Sequence, residues 1–162
     1  MKKLVMITGP AGIGKTTVCQ KLFRSIDSCA WLDGDWCWMV NPYPGKTDEQ
    51  KRYAEKAFGY ILDGYFHDER TNTIFFSWLI RADFMFELVS SQISYRNYEL
   101  IKIVLVCEEK EFIRRLTEGK RSADKISHPD DMEQYRSLNA RVIDTTHLSA
   151  EETAERILSL LG

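Results

Sequence analysis

No apolar run in this chain of 162 residues approaches the roughly 18 residues needed to span a bilayer, so no membrane partner is expected. The N-terminal stretch Leu4 to Thr8 is too short for a secretory signal and breaks at Gly9-Pro10 without a cleavage-type segment. Cysteine is sparse and unpatterned. Cys19, Cys29, Cys37 and Cys107 form no C-x-x-C pair, which argues against a disulfide framework or zinc finger and for idle thiols in a reducing cytoplasm. His67, His128 and His147 are too scattered for a zinc site built on one element. There is no basic surplus either. A formal net charge of -2 lacks the clustered Lys and Arg of a nucleic-acid footprint, so small partners are expected rather than polymers. Internal repeats, low-complexity tracts and linkers are also missing, and residues 1–162 read as one domain.

What is present is an alternation of strands and helices. A hydrophobic fraction of 44% beside 28% charged residues suits a folded domain with a real core. Leu4 to Thr8 predicts a short strand, and Val18, Leu22 and Phe23 at helical spacing predict a helix over 17–26. A second strand is expected over 30–33, then an aromatic loop from Gly34 to Lys46 broken by Pro42, Pro44 and Gly45. An amphipathic pattern marks a helix over 48–66. Strands follow over 73–79 and 101–107, the second continuous enough in its apolar residues to be covered on both faces. Helices are expected over 82–93, 109–118 and 131–139, with a polar segment near 119–128 shaped like a lid. A strand over 141–144 and a helix capped by Ser149 and Glu152 close the chain. This order predicts an α/β fold with a mostly parallel sheet.

The most specific signal is Gly9-Pro10-Ala11-Gly12-Ile13-Gly14-Lys15-Thr16, a match to G-x-x-x-x-G-K-[ST] between a predicted strand and a predicted helix. Glycines there let the backbone curl with its N–H groups inward, and a helix N-terminus adds partial positive charge. Gly9, Ala11, Gly12, Ile13, Gly14, Lys15, Thr16 and Thr17 are therefore expected to cradle the phosphates of a nucleoside triphosphate. Lys15 is suited to neutralise the β and γ phosphates, and the Thr16 hydroxyl to ligate the Mg²⁺ that bridges them. Asp33-Gly34-Asp35 follows the second strand. Two carboxylates at that spacing can divide metal binding from proton acceptance, although Asp and Gly also make solvated turns.

On these residues the chain resembles the small P-loop kinases, the group of shikimate, gluconate and adenylylsulfate kinases, chloramphenicol phosphotransferase and the nucleoside monophosphate kinases. The resemblance covers the P-loop, Asp33-Gly34-Asp35, the basic segment after the fourth strand and Ile143-Asp144-Thr145. It implies a three-layer P-loop NTPase fold with five parallel strands in the order 2-3-1-4-5 and a small lid. ATP and Mg²⁺ are the implied ligands, ATP lying at the C-terminal edge of the strands. The resemblance further implies that Asp33 holds Mg²⁺ through water, that Asp35 faces the acceptor, that Arg114 and Arg115 stack near the base, and that Arg121 closes on the phosphates. Arginine suits both tasks, and arginines at a helix C-terminus are equally ordinary dipole partners. Trp36, with Trp38, Met39 and Tyr43, fits either the wall of an acceptor site or the core of a lid helix. Arg81 fits either an anionic acceptor or a surface ion pair.

The chain also departs from its named relatives. Ser77 stands where a Walker B Asp would end the third strand, and the glycine triplet of shikimate kinase is missing. So is the arginine that follows D-G-D-N in adenylylsulfate kinase. Neither an N-K-x-D nor a D-x-x-G element for guanine nucleotides occurs, so ATP is the expected donor. Asp63-Gly64-Tyr65 lacks the Pro-Arg that continues the adenylate kinase motif. The reading is thus an ATP-dependent phosphotransferase acting on a small molecule or a nucleotide, with a regulatory nucleotide-binding module or a slow ATPase as rivals. The pattern leaves the acceptor and the oligomeric state open.

Overall fold

The apolar segments 4–7, 73–77 and 103–106 are buried on both faces, and a parallel sheet with helices against it provides that burial. A computed structural model describes residues 1–41, 47–119 and 131–162. Arg121, Tyr43 and nearly all of the expected lid lie outside the described residues. The elements run β1 (Lys2–Thr8), α1 (Lys15–Ser25), β2 (Cys29–Asp33), a 3-10 turn (Gly34–Trp38), α2 (Asp48–His67), β3 (Thr73–Ser77), α3 (Asp83–Ser91), β4 (Tyr98–Val106), α4 (Glu109–Glu118), α5 (Asp131–Arg136), β5 (Arg141–Asp144) and α6 (Ala150–Ser159).

All pairings are parallel and the strand order is β2-β3-β1-β4-β5. The expected fold and order therefore hold. β1 is central, and its residues Leu4 to Ile7 are wholly buried. One row of the sheet aligns Asp33, Ser77 and Ile7 across β2, β3 and β1. The three strands thus release their following loops side by side at one edge. α1 packs beside α6, and α2 leans on β2 and β3. There Phe58 meets Phe76 with ring centroids 5.3 Å apart. Each such fully buried side chain contributes about 1.5–3 kcal/mol of transfer free energy.

Several boundaries differ from the sequence reading. α1 begins at Lys15, not 17, because Gly14 caps it in the left-handed region at φ 111. β3 stops at Ser77, two residues early. The Trp78 amide still donates to the Ile7 carbonyl at 3.2 Å, but the Thr8 hydroxyl then captures Ile80, donating to its carbonyl and accepting from its amide. That side-chain clamp replaces the ladder. β4 begins at Tyr98, since pairing with Lys2 and Lys3 of β1 carries it past the apolar run. The expected aromatic loop opens with the 3-10 turn, and α2 carries a capping box of Thr47 and Gln50 that pattern reading passed over. The Ser149–Glu152 box on α6 is present as expected.

Candidate functional site

The loop from Gly9 to Gly14 joins β1 to α1. Gly9, at φ 145, lies so close to β4 that a Cβ would sit 2.5 Å from the Leu105 carbonyl oxygen. At Gly14 a Cβ would meet nothing within 4 Å, so there the left-handed backbone alone asks for glycine. The first helical hydrogen bond is Val18 to Gly14 at 3.0 Å. The Thr16 and Thr17 amides therefore precede the helical ladder, where a helix end offers N–H groups to an anion. Lys15 folds back along the loop, its Nζ donating to the Gly9 and Pro10 carbonyls at 2.7 and 3.1 Å.

Three elements converge beside it. The Thr16 hydroxyl of α1 lies 3.3 Å from Asp33 Oδ2, and the Ser77 hydroxyl of β3 donates to the same oxygen at 2.9 Å. Trp31 Nε1 donates in turn to Ser77 at 3.1 Å, and the Asp35 amide donates to Asp33 Oδ1 at 3.1 Å. Asp33 is only 7% exposed, and these donors are what make a buried carboxylate tenable there. Asp35, two residues on, is exposed. Sheet register explains the serine. With Asp33 and Ser77 paired across β2 and β3, the carboxylate comes from β2, and β3 supplies a hydroxyl that orients it. Beneath, burial pushes the Cys19 thiol up to about 12, with the Ser77 hydrogen bond opposing and the Asp33 charge adding.

Two clefts flank the loop. The smaller, about 80 Å³, is lined by Lys15, Thr16, Asp33 and Asp35 and also by Trp78 and Leu79. Those last two residues escaped the sequence reading. Their signal was positional, since they directly follow the strand that ends at the loop edge. The larger cleft, about 370 Å³, lies between Gly12 to Gly14, α4 and the start of α6. Arg114 and Arg115 both border it. Arg114 is forked between Glu111 and Glu118. Arg115 is fastened more deeply, donating to Glu111 at 2.7 Å, the Ile13 carbonyl at 3.2 Å, and the Thr145 hydroxyl and carbonyl at 2.9 and 2.6 Å.

Trp36 is half exposed and leans on Trp31, with centroids 4.6 Å apart, and does not border the small cleft. Arg81 also stands off that cleft, its guanidinium 4.0 Å from Asp131. The structure thus unites Lys15, Thr16, Asp33 and Asp35 around one space, puts Arg114 and Arg115 on the neighbouring one, and leaves Trp36 and Arg81 at the periphery.

Strand order, phosphate loop and flanking helices define the P-loop NTPase fold in the form used by small kinases. The chain belongs to the AAA domain family, whose model matches residues 5–136. Among solved structures it is similar to the tunicamycin resistance protein of Deinococcus radiodurans, with a TM-score of 0.72 at 16% identity over 100% of this chain and 96% of that one. It is likewise similar to the APS kinase of Mycobacterium tuberculosis in complex with AMPPNP and APS, with a TM-score of 0.64 and 16% identity over 99% and 97% of the two chains. For the shikimate kinase of Acinetobacter baumannii in complex with shikimate the TM-score is 0.62, with 18% identity over 99% and 93%. At such identities the likeness speaks for the fold. No curated protein matches the chain.

Proposed function

We propose that this protein is a phosphotransferase that moves the γ-phosphoryl group of ATP to a small-molecule or nucleotide acceptor. One observation carries the reading: a phosphate loop, a helix-end hydroxyl and a buried, triply hydrogen-bonded carboxylate meet beside a second, exposed carboxylate. A protein that only bound nucleotide would not need both acids. Thr16 and Asp33 form a pair of hard oxygen donors 3.3 Å apart, which fits Mg²⁺. Thr16 would hold the ion directly and Asp33 through water. When bound, it supplies neutralising charge at the β and γ oxygens.

The residues then divide the work. Lys15 exchanges its loop carbonyls for phosphate oxygens, and the loop amides hold the phosphates in place. Ser77 and the Asp35 amide fix the Asp33 carboxylate. Asp35 accepts the proton of the acceptor hydroxyl as the acceptor oxygen bonds to the γ-phosphorus and the bond to the β–γ bridging oxygen breaks, releasing ADP. Arg114 and Arg115 border the space left for the base. The role of Arg121 rests on the family resemblance.

The test is Mg-ATP with a panel of metabolites, nucleotides and antibiotics. A phosphorylated acceptor supports the proposal, free phosphate alone points to an ATPase, and unchanged bound ATP to a regulatory module. Asp35→Asn should keep ATP affinity within about twofold and slow transfer by about 10²–10⁴. Unchanged transfer would remove Asp35 from this role.

A further inference from the structure

Ser77 stands in a chain of hydrogen bonds whose direction is fixed at one end. An indole N–H donates and has no lone pair with which to accept. Trp31 Nε1, 3.1 Å from the Ser77 hydroxyl, therefore occupies a lone pair of that oxygen. A serine hydroxyl carries one hydrogen, and with the indole on its lone pair that hydrogen turns to Asp33 Oδ2, 2.9 Å away. The Cys19 thiol also meets Ser77, but a thiol is the weaker donor.

Strand geometry brings the three groups together. Trp31 and Asp33 are two apart on β2 and so share a face of the sheet, and Ser77 pairs with Asp33 from β3. Ser77 is wholly buried, so bulk water does not compete for its hydroxyl. Trp36 packs on the Trp31 ring with centroids 4.6 Å apart and steadies it. On the far side of the carboxylate, the Thr16 hydroxyl lies 3.3 Å from the same Asp33 oxygen. It too donates to the carboxylate, which leaves its lone pairs for a cation in the small cleft that both residues line.

Resting on the reading of Thr16 and Asp33 as the Mg²⁺ pair, we infer that Trp31 is a positioning residue for the metal: acting through Ser77, it sets the orientation of the Asp33 carboxylate and with it the affinity for Mg²⁺. Hydrogen-bond partners behind a metal-binding carboxylate change metal affinity by about 10–100-fold when removed. Losing the indole N–H lets the Ser77 hydroxyl rotate, and the carboxylate loses the donor that aims it.

The test uses the full chain and titration calorimetry with a non-hydrolysable ATP analogue, once with saturating Mg²⁺ and once with EDTA. The ratio of the two affinities is the metal's contribution. Asp33→Ala should collapse it. Ser77→Ala should lower it by about tenfold, and Trp31→Phe, which keeps a ring against Trp36, by at least about threefold, each with the EDTA affinity held within about twofold. In the Ser77→Ala background, Trp31→Phe should change the ratio by less than about twofold, because the relay is already cut. An undiminished ratio in Trp31→Phe, the same loss in both backgrounds, or the same loss with and without Mg²⁺ overturns the inference. A ratio near unity in the unaltered protein, or one unmoved by Asp33→Ala, removes the metal pair itself. A measurement on the unaltered protein stands even where a variant fails to fold: the indole N–H resonance of Trp31 should shift when Mg²⁺ joins the analogue complex, and a fixed resonance overturns the relay.

Discussion

Lys15 and Gly34 show how narrowly single residues are chosen. Lys15 is the one cation among the described residues of the small cleft, and its loop-bound position keeps it within reach of a phosphate. Lys15→Ala should lower transfer by about 10²–10³, the scale for losing a transition-state donor, measured as kcat/KM for ATP. Gly34 has a different reason to be glycine. Its φ is ordinary, but an added Cβ would press on Trp78 at 2.6 Å and on Phe76 at 3.2 Å. Gly34→Ala should therefore cost about 1–3 kcal/mol by overpacking, read from denaturant midpoints, and should weaken acceptor binding more than ATP binding. Asp33-Gly34-Asp35 is thus two acids around a steric requirement. The residue letters show the acids, and only the packing shows the requirement.

At the scale of elements, α4 shows a tie that its sequence does not announce. Its basic pair invites assignment to the base, yet Arg115 is bound to Glu111, the Ile13 carbonyl and Thr145. It straps α4 to the phosphate loop and to the segment before α6. Arg115→Ala would strand those acceptors, and the affinity for ATP should fall about tenfold, or about 1.4 kcal/mol. Lysine should not restore it, because one ammonium cannot replace a planar fork. Titration calorimetry with both variants decides the point. α2 offers a test of local stability: Thr47→Ala removes a capping-box acceptor and should cost about 1 kcal/mol, read from denaturant midpoints.

For the whole molecule, acid should act through several tethered carboxylates. Hydrogen bonds from Arg114 and Arg115 hold Glu111 down to about 2. Burial alone would raise Asp63, but the Ser94 amide and hydroxyl and the Tyr95 amide outweigh it and hold that carboxyl below its usual range. Groups depressed in the folded state add stability that is complete above their unfolded values and lost as pH falls through the folded ones. Tm should thus be flat near neutrality and drop from about pH 4.5 toward 2, with Glu111→Gln flattening part of the fall. Strand existence, their alternation with helices and the phosphate loop were legible in the chain because apolar run length, helical spacing and the Gly-Lys-Thr signature are local properties. Element ends were less so. β3 ends where the Thr8 hydroxyl clamps Ile80, a contact over 72 positions that no local pattern encodes. The sequence by itself determined a phosphate-binding α/β chain, because a curled glycine loop before a helix has one dominant physical use. Tertiary structure alone decided that Ser77 serves Asp33, that Arg115 is a strap, and that Trp78 and Leu79 border the small cleft. Each of these depends on register and packing between segments that are distant in the chain.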